Sequence, residues 1–163
     1  MPDSFEAVAR RLAENETAIG GLYELFAEAF AVDRVFWAGL ANEEHQHAAW
    51  ILSALEAIAP DQRRQVDVQA RVPAIDLMIG YVASLADRCR RGELARLTAL
   101  ALARDLENSL LEGRILTSIA TSAGRLAELR ADLLRATTAH RQRIADVLDR
   151  ARQAETEQVP GRS

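Results

Sequence analysis

Four long apolar stripes at helical spacing run through this chain, and each is interrupted by polar side chains that belong at a surface. Leu12, Ile19, Tyr23, Phe26 and Phe30 form the first, with Glu16 on the same face. Trp37, Leu40, Ile51, Leu55 and Ile58 form the second, broken by Glu44 and His47. Leu97, Leu100, Ala103 and Leu110 surround Glu107 in the third. Leu126, Leu129, Leu133, Ile144 and Val147 surround Thr137 and His140 in the fourth. Steps of three and four are the helical period, and alternation with a period of two is scarce, so an all-α chain without a sheet is expected.

The boundaries follow from local chemistry. A first helix is expected from Ser4 to Phe30, with a short turn at Ala31-Val32 and Asp33 as the N-cap of the second. The second runs to Ala59, where Pro60 stops it. Residues 60–72 are polar and aperiodic and read as a connection. Pro73 opens a short extra helix to Arg91, with Ile75, Met78, Ile79, Val82, Leu85 and Ala86 on one face and Gly92 as its end. A third bundle helix is expected over 93–118, a small-residue turn at 121–124, and a fourth helix over 125–155. Residues 1–156 then form one domain, followed by a disordered tail over 157–163. The pattern is two helical hairpins joined by a long crossover with a helix of its own. That extra helix has two readings, a cap on the bundle or a contact between copies.

Charge and cysteine content exclude several classes. The chain has 24 acidic and 20 basic residues, every basic one an Arg, intermixed along its length. That is unlike the basic stripe of a nucleic-acid binder, and none is expected as partner. Cys89 is the only cysteine, so neither an intrachain disulfide nor a four-cysteine iron or zinc centre is expected within one chain. No stretch approaches the roughly 20 apolar residues of a membrane span. No basic segment followed by an apolar run stands at the start, so a cytoplasmic protein is expected.

The interrupting residues carry the chemistry. An unpaired carboxylate in an apolar core costs several kcal/mol even after relaxation. Glu16, Glu44 and Glu107 therefore need partners, and no Arg stands on their stripes. Glu44 and His47 are three apart and share a helix face. Glu16 precedes His47 by 31 residues and Glu107 precedes His140 by 33, so each half reads as a helix with a core Glu followed by one with a core His. Carboxylates plus imidazoles suit iron, manganese or zinc better than calcium or magnesium. His45 lies about 200° around its helix from His47 and is expected at the surface. Tyr23 reads first as core filler, with a redox or hydrogen-bonding role beside the site as the alternative, and Cys89 as an inert packed or semi-exposed thiol.

Glu16, Tyr23 and Phe26-Ala27, followed by Trp37, Ala41 and Glu44-His45-Gln46-His47-Ala48, resemble the rubrerythrin branch of the ferritin-like superfamily, whose second helix reads E-x-x-H-A. Glu107 and His140 fall where that family has its third-helix Glu and last-helix His, so the resemblance spans about residues 10 to 150. It implies a ferritin-like four-helix bundle with terminal ligands Glu16 and Glu107, a bridging carboxylate Glu44, and imidazoles from His47 and His140. Two departures stand out. Thr137 replaces the Glu of the second E-x-x-H, and Leu110 stands where the family has a further Glu. With a single cysteine, no rubredoxin-like domain with four cysteine ligands is expected within these residues.

The resemblance implies a non-haem iron protein, holding one or two ions, with manganese or zinc as other metals. Its reactions would be reduction of peroxide or oxidation of ferrous iron by O2, with electrons from a separate donor. A homodimer or larger assembly is expected. Thr137 keeps open a degenerate metal-binding or structural bundle without turnover.

Overall fold

In the computed structural model, which describes residues 3–64, 66–68, 71–112, 119–120 and 124–157, the first helix starts at a side-chain cap. Ser4 accepts a hydrogen bond from the Ala7 N–H at 3.1 Å, and α1 (Phe5–Ala29) follows. A 3-10 turn (Ala31–Asp33) leads into α2 (Arg34–Glu56), which packs antiparallel on α1. Asp33 stands at the expected cap position but caps nothing. Its buried carboxylate instead accepts two hydrogen bonds from Arg96, at 2.6 and 2.8 Å. A two-point charged partner from another helix outweighs a single backbone N–H of its own.

Helix α2 ends three residues earlier than expected, and Pro60 opens a single helical turn, α3 (Pro60–Arg63), rather than acting only as a stop. Helix α4 (Val72–Arg90) closes with Gly92 at φ 69°. The Gly92 N–H bonds the Cys89 carbonyl at 2.9 Å and the Glu93 N–H bonds the Arg88 carbonyl at 3.0 Å, the paired C-terminal closure that needs a left-handed residue. Helices α5 (Arg96–Glu112) and α6 (Gly124–Glu157) pack on each other, and α6 also meets α2. The expected end of the third bundle helix (113–118), the turn residues 121–123, the Leu110 side chain and the tail from 158 onward lie outside the described residues.

The crossover is made by α4 itself. The Val72 N–H bonds Asp3 Oδ2 at 2.9 Å near the start of α1, Arg11 pairs with Asp76, and the Cys89 thiol lies 3.8 Å from the Leu25 carbonyl near its end. Helix α4 thus runs parallel to α1 and carries the chain about 28 Å along the bundle. Consequently α5 descends parallel to α2, and α6 returns beside it. The face of α4 with Ile75, Val82, Leu85, Ala86 and Cys89 is buried, so it serves as packing for α1. This is the all-α arrangement of two hairpins with a helix-bearing crossover.

Where a sheet was not expected, one small pairing occurs. Strands β1 (Asp67–Val68) and β2 (Ile119–Ala120) pair antiparallel, Asp67 with Ala120 and Val68 with Ile119. Two residues carry no readable period. The pairing arises because the α2–α4 and α5–α6 connections leave from the same end of the bundle.

The apolar core is split in two. One cluster holds Ile19, Tyr23, Phe26, Trp37, Leu40, Leu100, Ile144 and Leu148 with the end of α4. The other holds Phe5, Val8, Leu12, Ile51, Leu55, Ile75, Leu126 and Leu133. On α1, α2 and α6 the interrupting polar residues fall in sequence between the two clusters. Among the described residues no helix is long and apolar enough to cross a membrane.

Removing Arg96 leaves the buried Asp33 carboxylate without its partner. Arg96→Ala is expected to lower stability by about 2–3 kcal/mol, measured by urea unfolding. Asp33→Asn, which keeps an acceptor, is expected to cost less. An unchanged midpoint for Arg96→Ala would show that the pair does not tie α5 to the α1–α2 corner.

Candidate metal centre

Four helices each bring one or two ionisable side chains into the layer between the apolar clusters. Glu16 comes from α1, Glu44 and His47 from α2, Glu107 from α5 and His140 from α6, and their exposures are 4, 2, 3, 1 and 1%. Thr137 joins them on α6 at 4%. The helical phase read from the stripes therefore holds for every candidate, while Glu14, Asp105 and Glu24 are exposed. His45 is half-exposed, donates to Glu24 Oε1 at 2.9 Å and lies over Gly20, where a Cβ would sit 2.7 Å from its ring.

Glu44 stands between the imidazoles. Its Oε2 is 3.1 Å from His47 Nδ1, and its Oε1 is 2.6 Å from His140 Nδ1. The first pair is a hydrogen bond; the second does not meet at hydrogen-bonding angles, and both of its atoms are left without a partner. Glu16 Oε2 lies 3.6 Å from His47 Nδ1, and Glu107 Oε1 lies 3.7 Å from His140 Nδ1. The imidazole rings stack with centroids 5.3 Å apart. Ligand atoms of Glu44, His47 and His140 all fall within 4.8 Å of one another, a group able to hold a metal ion.

A surrounding layer, of which the sequence signals only Tyr23, orients these groups. Tyr23 donates to Glu107 Oε1 at 2.7 Å. His140 Nε2 donates to Glu43 Oε2 at 2.9 Å, and Arg143 grips Glu43 with bonds of 3.0 and 2.7 Å. A proton held at Nε2 leaves the Nδ1 lone pair of neutral His140 facing inward, the tautomer a metal ligand requires. Trp50, 41% exposed, lies against His47 with ring centroids 5.3 Å apart. Glu43 and Arg143 are 100 residues apart in sequence, which is why no local spacing points to them.

Buried polar atoms nearly always find partners. Among the described residues six buried side-chain atoms do not, and three of them are Glu44 Oε1, Glu107 Oε2 and His140 Nδ1. The other three belong to Asn15 and Trp37, outside the candidate group. Unpartnered carboxylate oxygens and an imidazole nitrogen converging in a dry core are the donor set that a divalent cation satisfies.

Without a metal, protons take the cation's place. Burial raises Glu16 to about 8 despite His47 beside it, and burial likewise raises Glu107. Burial alone would lower both imidazoles, but Glu16 and Glu44 raise His47 to about 9, and Glu107 and Glu44 raise His140 to about 10. Burial would also raise Glu44, yet the two imidazoles hold it at about 2. Burial and then the Glu107 charge keep Tyr23 well above its usual range.

These directions fix a pH dependence for the metal-free protein. A group whose pKa rises on folding contributes stability that is complete below its unfolded value and is lost as pH climbs through the folded one. For His47 and His140 that loss runs from 6.5 up to about 9 and about 10, and Glu16 acts in the same direction from 4.5 to about 8. Glu44 acts oppositely, losing its contribution as pH falls below 4.5 toward about 2. The melting temperature of the metal-free protein should fall between pH 6 and pH 10. Zn2+ should restore more of it at pH 8 than at pH 6, because ligation must displace those protons. A metal-free melting temperature that rises across this range would contradict the protonated cluster.

No protein-family model, curated protein or solved structure matches this chain.

Proposed function

We propose that this chain is a ferritin-like metalloprotein in which Glu16, Glu44, His47, Glu107 and His140 hold one or two iron ions, with manganese or zinc as other occupants. The observation that carries the reading is Glu44, which turns one oxygen to each imidazole and leaves Oε1 without a hydrogen bond in a dry core. In a metal-bound state that placement suits a carboxylate shared between two half-sites, each completed by one Glu and one His. The resemblance to rubrerythrins supports the same ligand roles.

A redox-active ion held there supplies one-electron chemistry toward O2 or peroxide, the basis for peroxide reduction or ferrous iron oxidation. The chain's own residues do the rest. The two apolar clusters exclude bulk water. Tyr23 holds Glu107 in place and Glu43 keeps the proton of His140 on Nε2. Cys89 is a lone cysteine far along α4, so electrons come from a separate donor. A homodimer or larger assembly belongs to the same proposal, with Leu77 and Tyr81 exposed on the outer face of α4.

Thr137 favours a second reading. It is buried in the layer where the resemblance places a second bridging carboxylate, and its hydroxyl brings no charge. A metal-binding or structural bundle without turnover fits that loss.

Elemental analysis of protein purified without added metal, with its visible spectrum before and after Fe2+ and air, separates the two. About two irons per chain with ferric charge-transfer absorption supports the redox reading. Bound metal without oxidation on exposure to air supports the second. Glu44→Ala is expected to remove most of the bound metal and His47→Ala part of it, and unchanged metal content in both would place the site elsewhere.

A further inference from the structure

We propose, building on the reading of these residues as metal ligands, that the two halves of the layer are unequal: Glu107, His140 and the Oε1 side of Glu44 hold a resident ion, whereas Glu16 and His47 form the half where a divalent cation enters and exchanges.

The unpartnered atoms of the site all lie in one half. Glu107 Oε2, His140 Nδ1 and Glu44 Oε1 are buried without a hydrogen bond, whereas His47 Nδ1 is engaged by Glu44 Oε2. A cation beside His140 Nδ1 and Glu44 Oε1, 2.6 Å apart, relieves two unpartnered atoms at once, with Glu107 Oε1 3.7 Å from the same nitrogen. A cation in the His47 half must first displace a hydrogen bond that already exists.

Outer support is equally one-sided. Glu107 is held by Tyr23, and His140 by Glu43, itself gripped by Arg143. Glu16 and His47 have only each other and Glu44 as polar partners among the described residues. Such outer hydrogen bonds fix ligand orientation before the ion arrives and are typically worth about 10–100-fold in affinity.

The two flanks of the layer also differ in what backs the imidazoles. His140 is backed by Glu43, whose carboxylate is paired with the Arg143 guanidinium. His47 is backed by the half-exposed Trp50 ring. Trp50 borders a surface cleft that also carries the carboxylates of Glu128 and of Asp132, the latter paired with Arg135. Carboxylates at a cleft mouth offer oxygen ligands to an incoming divalent cation. A divalent metal ion is thus the substrate class that suits the Glu16–His47 half.

The test is anaerobic titration of the whole metal-free chain with Co2+ against a competing chelator, read by the visible absorption of the bound ion. The wild-type protein should take up its first ion at least about 10-fold more tightly than its second. Glu43→Gln and Glu107→Gln should weaken the first event about 10–100-fold. Glu16→Gln and His47→Ala should leave that event intact and remove the second. Trp50→Ala should speed release of the second ion only. If only one ion binds, its retention in His47→Ala supports the proposal and its loss overturns it. Loss of the tight event in Glu16→Gln with its retention in Glu43→Gln also overturns it, while leaving the metal site in place. A folded wild-type protein that binds no Co2+ overturns the metal reading and the inequality together.

Discussion

Three carboxylates and two imidazoles packed between two apolar clusters form the constraint on which this fold turns. Five ionisable groups with 1–4% exposure cannot be left to water, so each must meet another. That requirement sets the register of four helices at once. A rotation by one residue turns a side chain about 100° around its axis and would face Glu16, Glu44, Glu107 or His140 into hydrocarbon. The apolar layers on either side then lock the phase. Leu12 and Ile19 flank Glu16, Leu40 and Ile51 flank Glu44 and His47, and Leu133 and Ile144 flank Thr137 and His140.

Connectivity serves this layer. Because α4 runs parallel to α1, α5 starts at the same end as the α1–α2 corner, and Arg96 reaches Asp33 there. The opposite end is joined by the two-residue pairing of the two long connections. The hairpins are thus tied at both ends of the layer. Helix α4 contributes no side chain to the site and covers the flank of α1 instead.

Of the two departures from the rubrerythrin resemblance, Leu110 lies on α5 and Thr137 on α6. Thr137 withdraws a carboxylate from the layer, and the half that keeps Glu107 and His140 is the one braced by Tyr23, Glu43 and Arg143. On the proposed reading as a metal centre, one half of the layer is braced by outer hydrogen bonds and the other is not. Two equivalent sites fit this arrangement poorly.

The sequence by itself determined the helices and the inward-facing candidates. Steps of three and four place Glu16, Glu44, His47, Glu107 and His140 on apolar faces, and local signals such as Ser4, Pro73 and Gly92 mark helix ends within a few residues. These are short-range properties, set by the helical repeat and by backbone chemistry. Only the tertiary structure decided what Asp33 binds, because a charged partner from 63 residues away displaces a cap. The same holds for Glu43, Arg143 and Trp50, whose roles arise from helices that meet far apart in sequence. Which oxygen of Glu44 faces which imidazole, and which of those atoms goes without a partner, depends on distances across three helices that no periodicity encodes.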